Sequence, residues 1–432
     1  MIRESDVQNQ FAVVIPTRNR ADTLIYTLKT CIEQKYSNEN YIVVVCDNNS
    51  SDNTKEIVES YHSDKIHYIH TGRSLPMHES WEFALKYTLS VLKTGYIIYV
   101  GDDDGLLEES LIIANDLINK YNVDAICCSQ PQYWWPINLD DKEIISELTF
   151  KLSNWIYFEQ SKPLLNKLAR SKGWYNRLPC IYHSFVNVDI INRILSVTKN
   201  IFFQGVCPDV YSSIIIAAYC PSYLYVEYPL RIAGISSKSN GFATFDAQIK
   251  ESDTVRCEFS ELNSTSQLAT EISSIQYVVY ESMVLANENL KLNLSISHNK
   301  WLKLILDDLS SKTPQLYTKS MSALYTCRSL QPYLPPREDT VTKYSGLYNQ
   351  NKQLLGLKGM WITLKNKNFK NIYDASQWIS VVFSNTKPQY INHKFMIRIP
   401  DLYLQGLHSN MINLRGVLNY LHKNEYKVKT LK

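Results

Sequence analysis

Apolar and polar positions alternate in blocks along the first 130 residues. Phe11-Ala-Val-Val-Ile15 is a fully apolar run closed by Pro16, and Tyr41-Ile-Val-Val-Val-Cys46 is a second. Short runs with no polar alternation predict strands buried on both faces. Between them, Asn19 to Gln34 places Leu24, Ile25, Leu28, Cys31 and Ile32 on one helical face. Further strands are predicted at Ile66–Ile69, Tyr96–Val100 and Asp124–Ser129, with helices at Trp81–Leu92 and Glu108–Tyr121. Asn53 and Glu56 have the spacing of a helix cap pair. Strand and helix alternating in this way predict an α/β fold with a mostly parallel sheet flanked by helices. Ligands of such sheets sit beyond the carboxyl ends of the strands. The polar clusters at 16–20, 47–54 and 101–105 each follow such an end, so they should converge on one crevice.

From residue 130 to 250 the pattern is less regular and rich in aromatics. Tyr133-Trp-Trp-Pro136 and Trp174-Tyr175 suit either an acceptor groove or core packing. Asn263 to Leu292 carries a long helical stripe of Leu268, Ile272, Ile275, Val279 and Met283. Leu334-Pro-Pro336 marks a boundary or sharp turn. These shifts divide the chain into 1–250, a helical region 251–333 and a basic, aromatic region 337–432.

Charge sharpens that division. Residues 351–432 carry 13 Lys/Arg and 3 Asp/Glu, while the formal net charge of the whole chain is only +3. A basic end of this kind suits an anionic membrane surface, with Trp361, Phe369, Tyr373 and Trp378 as an interfacial seat. The bland reading is a basic helical subdomain packed on the acidic remainder. Nucleic acid finds no support in the crevice. The most apolar stretch, near Ile214–Leu230, is interrupted by Pro221, Glu227 and Pro229 and does not read as a membrane span. Met1-Ile-Arg-Glu-Ser-Asp6 has no secretory pattern. The nine cysteines lack metal-ligand spacing. They predict reduced core residues of a cytoplasmic protein, peripheral on the inner face of the membrane if the basic region binds lipid.

The chemistry concentrates at Ile97-Ile-Tyr-Val-Gly-Asp-Asp-Asp-Gly105, where an apolar strand delivers three carboxylates to a glycine-bracketed turn. Oxygen ligands in such a turn suit a hard divalent cation, which can neutralise a diphosphate leaving group. A solvated acidic turn is the alternative. No glycine precedes Gly72, so neither a dinucleotide fingerprint nor a phosphate loop follows the first strand. Arg73, just after the third strand, can meet phosphate or pair with a nearby acid. Lys238, in the small-residue loop Gly234–Gly241, suits either a lid over the diphosphate or an ordinary surface loop.

Val14-Ile-Pro-Thr-Arg-Asn-Arg20, Val45-Cys-Asp-Asn-Asn-Ser-Ser-Asp-Asn-Thr54 and Gly101-Asp-Asp-Asp-Gly105 together resemble the family 2 glycosyltransferases of the GT-A fold. Leu75-Pro-Met-His-Glu-Ser-Trp-Glu-Phe-Ala-Leu85 resembles a segment of a bacterial branch. The resemblance implies a GT-A domain over 1–250, with a nucleotide-binding half 1–130 and an acceptor half 131–250. It implies inverting transfer from a nucleotide-diphosphate sugar, UDP-linked first and dTDP- or GDP-linked otherwise, with Mn or Mg. The acceptor implied is a glycan or lipid-linked glycan of bacterial surface polysaccharide synthesis. In that scheme Pro16, Thr17 and Arg18 lie beside the nucleoside, and Asp47 and Asn48 read the base. Asn48 stands where the family more often has an aspartate. Asp102 is assigned to the ribose, and Asp103 or Asp104 to the metal.

An inverting transfer needs a base for the acceptor hydroxyl. Gly205-Val-Cys-Pro-Asp-Val-Tyr-Ser212 resembles the segment bearing the family's catalytic carboxylate, which selects Asp209. A helix cap is its structural alternative, and Asp189 and Asp253 are weaker candidates. Tyr182-His183-Ser-Phe resembles an active-site strand and makes His183 a candidate phosphate or acceptor contact. Two other functions compete: a nucleotidyl- or phosphotransferase using the same metal crevice, and a non-catalytic nucleotide-sugar or glycan-binding subunit.

Overall fold

The computed structural model describes residues 8–139, 142–144, 146–151, 153–239, 270–334, 361–365, 369–384 and 386–390. Most of 337–432, with much of the basic region, lies outside them, as do Asp253 and Leu268.

The predicted strands form in order: β1 (Phe11–Thr17), β2 (Tyr41–Asp47), β3 (Ile66–His70) and β4 (Tyr96–Tyr99). They lie as neighbours β4-β1-β2-β3, all parallel. Thr17 pairs with Asp47, and Asp47 with His70, so the polar residues after each strand start at one level. Val14 pairs with Tyr99, which leaves Thr17 and Asp102 each three residues further on. The helices between are α1 (Ala21–Ile32), α2 (Thr54–Glu59), α3 (Met77–Val91) and α4 (Ser110–Tyr121). α3 starts four residues earlier than the apolar pattern predicted. Asn53 sits at the α2 N-cap position, but its side chain does not cap. Asp52 does so instead, accepting the Thr54 N–H at 3.1 Å.

The sheet continues through residues whose pattern was irregular. The remaining strands are β5 (Gly105–Leu106), β6 (Ala125–Cys128), β7 (Gln132–Trp134), β8 (Ile137–Leu139), β9 (Lys142–Ile144), β10 (Glu147–Lys151), β11 (Trp155–Gln160), β12 (Ser184–Asn187), β13 (Ser222–Val226), β14 (Arg231–Ile235), β15 (Trp361–Lys365) and β16 (Gln389–Tyr390). β12 inserts antiparallel between β4 and β6, and β13, β11 and β16 complete a nine-stranded sheet. A second sheet runs β15-β10-β7-β14-β5. Its edge strand β5 leaves the aspartate triplet directly and pairs antiparallel with β14, Leu106 opposite Arg231.

Each face of the main sheet has its own core. Ala12, Val14, Val44, Ile97 and Tyr99 face one way; Phe11, Val13, Ile15, Val43, Val45 and Ile98 face the other. This two-sided burial explains runs with no polar alternation. The first core takes in α3, α5 (Ser161–Ala169), α6 (Val188–Val197) and α7 (Pro208–Tyr219). It also takes in α8 (Ile275–Leu290), α9 (His298–Leu309) and α10 (Pro314–Leu324). The predicted stripe is present at Ile272, Val279 and Met283, all fully buried, although α8 itself begins only at Ile275. The second core takes in α1, α4 and α11 (Ile372–Phe383).

α11 draws part of the C-terminal aromatic set into the second core. Phe369 is buried, and Trp378 packs edge-on to it and to Phe150. Tyr373 donates to Glu33 at 2.8 Å under the Lys29 ammonium. Phe369 and Trp378 pack into the second core, whereas Tyr373 stays partly exposed. No helix among the described residues is long and apolar enough to cross a membrane. The eight described cysteines are free thiols, seven of them buried.

Candidate active site

The three polar clusters meet at the carboxyl ends of β1, β2 and β4. Asn48 N–H donates to Thr17 O at 2.9 Å, and Asn19 N–H to Ser50 Oγ at 2.9 Å. Asn19 Oδ1 accepts the Ser51 N–H, and Asp52 accepts the Ala21 N–H. Arg18 reaches across the same junction, donating to the Asn48 carbonyl at 3.0 Å and to Ser74. Pro16 and Thr17 form the last residues of β1 beneath it. Arg73 is exposed at the rim of the turn after β3.

Asp47 is buried and accepts Ser50 N–H on Oδ1 and Tyr68 Oη on Oδ2. Asn48 is differently placed. Its carboxamide accepts the Leu75 N–H and donates to the Leu75 carbonyl, both at 2.9 Å. The side chain behaves as a strand edge clamping residues 71–75, which leaves one of its two amide hydrogens for another acceptor.

The triplet Asp102, Asp103 and Asp104 is buried throughout, with Asp102 and Asp103 converging on Arg20. Asp102 Oδ1 accepts from Arg20 at 3.1 Å. Asp103 Oδ2 accepts the Ser236 and Ser239 hydroxyls and lies 3.6 Å from the same guanidinium. Asp104 turns inward: one oxygen meets Arg231 and the Gly101 N–H, the other accepts the Gly234 N–H at 2.7 Å. With both oxygens engaged inside the protein, Asp104 is no longer a metal ligand candidate. It anchors the turn. Arg231 is itself fully buried, lies over the Tyr182 ring and donates to the Tyr182 carbonyl.

Two glycines let these elements close. A Cβ on Gly234 would fall 1.7 Å from the Asp103 carbonyl oxygen, and one on Gly101 would fall 2.2 Å from Tyr182 Oη. Trp135 braces the turn from beneath, its Nε1 donating to the Asp103 carbonyl at 2.9 Å. Tyr133 and Trp135 are therefore core residues rather than an exposed groove.

Burial, countered by Arg20 and reinforced by Asp103, raises the Asp102 carboxyl to about 6. Asp103 is raised for the same reason, with Arg20 opposing and Asp104 adding. Three buried carboxylates thus face two guanidiniums, Arg20 and Arg231. That donor set suits one further hard cation at Asp102 and Asp103. Among the described residues no three His, Cys, Asp or Glu side chains converge on a metal position. Two carboxylates, with water and diphosphate oxygens completing the shell, match how magnesium-type ions are held.

Asp209 is the second residue of α7, half-buried, and the residue before the helix makes no side-chain cap bond. Burial pushes its carboxyl up to about 6, against the backbone N–H of Val210. Its carbonyl accepts from Cys180 Sγ at 3.0 Å, which ties α7 to the 180–183 segment running under the triplet. Asp189 lies in the first turn of α6 and is exposed.

His183 is corrected. It is 2% exposed, its Nε2 faces the Leu178 carbonyl at 3.2 Å, and burial with Arg231 nearby pushes it down to about 3. It is a neutral core histidine. Lys238 sits at the crevice margin, its Nζ 3.1 Å from both Asp22 oxygens, while its carbonyl accepts from Arg20.

Sequence reasoning passed over Arg20 and Arg231. Arg231 had a signal, as the lone charge in the apolar run Tyr228–Ile235. A buried arginine needs an acidic partner.

Residues 12–185 match the family model described as Glycosyl transferase family 2. The chain carries a family 2 glycosyltransferase domain. It is a glycosyltransferase in class. No curated protein matches its sequence. Among solved structures it is similar to S. aureus TarS 1-349, at 16% identity over 75% of this chain and 91% of that one, TM-score 0.39. The same protein in complex with UDP-GlcNAc gives 15% identity over the same shares, TM-score 0.40. The mannosyltransferase PcManGT from Pyrobaculum calidifontis, in complex with GDP-Man and Mn2+, gives 13% identity over 76% and 88%, TM-score 0.36. In this glycosyltransferase the matched region contains the whole triplet crevice, whereas Asp209, Arg231 and the 236–239 segment lie beyond it.

Proposed function

We propose that this glycosyltransferase moves a sugar from a nucleotide-diphosphate donor, uridine-linked first, to a hydroxyl of a glycan or lipid-linked glycan, with inversion. The observation that carries this reading is the meeting of the three polar clusters at the strand ends, where Asp102 and Asp103 lie 3.1 and 3.6 Å from one Arg20 nitrogen. These two carboxylates suit a donor's ribose and a divalent ion. Such an ion, Mn or Mg, supplies charge neutralisation of the diphosphate as it leaves. Asp47, Thr17 and Arg18 line the nucleoside end, with Arg73 and Lys238 at the rim for phosphate.

Asp209 is assigned the acceptor proton. A carboxylate raised toward neutrality accepts a hydroxyl proton more readily than one at its ordinary value. Bacterial surface polysaccharide synthesis is the setting that the sequence resemblance supports. Calorimetric titration of UDP, dTDP and GDP, with Mn and with chelator, tests the donor half. Binding of one nucleotide that needs metal and is lost in Asp103→Ala supports it. Absence of binding by all three overturns it. Release of free nucleoside diphosphate from a sugar donor, without pyrophosphate, separates transfer of a sugar from nucleotidyl transfer.

A further inference from the structure

Arg20 occupies a singular position. Its guanidinium touches Asp102 Oδ1 at 3.1 Å, approaches Asp103 Oδ2 at 3.6 Å and donates to the Lys238 carbonyl. It is thus the one described side chain that joins both donor-site carboxylates to the segment over them. That segment is itself latched to Asp103 by Ser236 and Ser239.

A divalent ion bound by carboxylates sits about 2.1 Å from their oxygens if it is of magnesium size. Asp103 Oδ2 already accepts two hydroxyls and faces a cation. An ion approaching that oxygen meets a like charge on Arg20, and like charges a few Å apart in a buried site repel strongly. Arg20 and the ion therefore compete for one negative pocket.

We propose that Arg20 is an internal counter-ion that holds the Asp102–Asp103 pair in the metal-free protein and is displaced by the divalent ion. Displacement breaks the Arg20 bond to the Lys238 carbonyl and so loosens the 236–239 segment above the pocket. Metal entry and opening of that segment become one event. A freed guanidinium can then turn to the donor diphosphate, whose oxygens it suits as a bidentate partner. This rests on the reading of Asp102 and Asp103 as the metal-binding pair.

The test is calorimetric titration of MnCl2 alone into the full-length protein, without nucleotide, for wild type, Arg20→Met and Arg20→Lys. Arg20→Met should bind manganese about tenfold tighter or more, because it removes the competing charge. It should also melt at a higher temperature with manganese than without, by a larger margin than wild type. Arg20→Lys keeps the charge and should stay near wild type, and as a folded control it covers the case of a Met variant that fails to fold. If Arg20→Met does not fold without metal, recovery of its folded signal by manganese supports the same conclusion. Manganese affinity in Arg20→Met equal to or below wild type, or no manganese binding in any variant, overturns it. Neither sugar transfer nor nucleotide binding enters the measurement, so failure of the proposed donor chemistry would leave this result readable.

Discussion

Three buried acids within three consecutive positions are given three different tasks by their neighbours. Asp104 is neutralised by Arg231, Asp103 is latched by two serines, and Asp102 is bridged by Arg20. Removing Arg231 would leave Asp104 buried without its counter-charge. Breaking a buried pair from one side typically costs about 3–5 kcal/mol. Arg231→Met should therefore lower the unfolding free energy by that amount, read by urea unfolding at neutral pH. Asp209 makes a prediction of another kind. A general base contributes about 10²–10⁴ in rate, so Asp209→Asn should lose that factor in kcat while nucleotide affinity stays near wild type. Burial pushes its carboxyl up to about 6, and only the ionised form accepts a proton. The rate should fall as pH drops through about 6 and level off above it, and that limb should be missing from the residual activity of Asp209→Asn.

At the scale of elements, the strands buried on both faces were legible because a short, continuous apolar run between turn residues fits little else. β1, β2 and β4 appear within two residues of where the pattern places them. β5 and β7 were not legible. They have two and three residues, too few to show a period, and they form because longer strands already present an edge. The site divides along the same line. Clusters that follow legible strands were found, while Arg20 and Arg231 were missed, because their partners lie 82 and 127 positions away. His183 was read as functional because its residue type is chemically able, and only its burial and the Leu178 carbonyl beside its Nε2 place it in the core. β14 illustrates how much one element positions. It brings Arg231 to Asp104, Gly234 N–H to the same acid, and Ser236 to Asp103. Gly234→Ala would place a methyl 1.7 Å from the Asp103 carbonyl oxygen. β14 must then withdraw, so this variant should lose metal-dependent nucleotide binding by calorimetry and melt below wild type.

Across the whole molecule, the matched family region ends at residue 185, but the cores do not. α8, α9 and α10 complete the core on one face of the main sheet, and α11 completes the other. α11 packs its Ile372 within 3.1 Å of where a Gly105 Cβ would lie, directly behind the triplet turn. Ile372, Ile379 and Phe383 are each at most 1% exposed. Burying such side chains contributes about 1.5–3 kcal/mol apiece, so losing the three costs on the order of 5–9 kcal/mol. A whole domain is stable by only about 5–15 kcal/mol. Ending the chain after Leu334 removes α11 together with β15 and β16, which extend the two sheets at β10 and β11. If the C-terminal region were an appendage used only for a membrane or a partner, that truncation would fold and bind nucleotide normally. The packing of α11 predicts the opposite: a truncated chain that is largely insoluble or melts far below the full-length protein. A second chain ending after Tyr390 retains all described elements and should melt well above the chain that ends after Leu334. Equal melting temperatures for the two truncations would show that α11 contributes nothing to the fold.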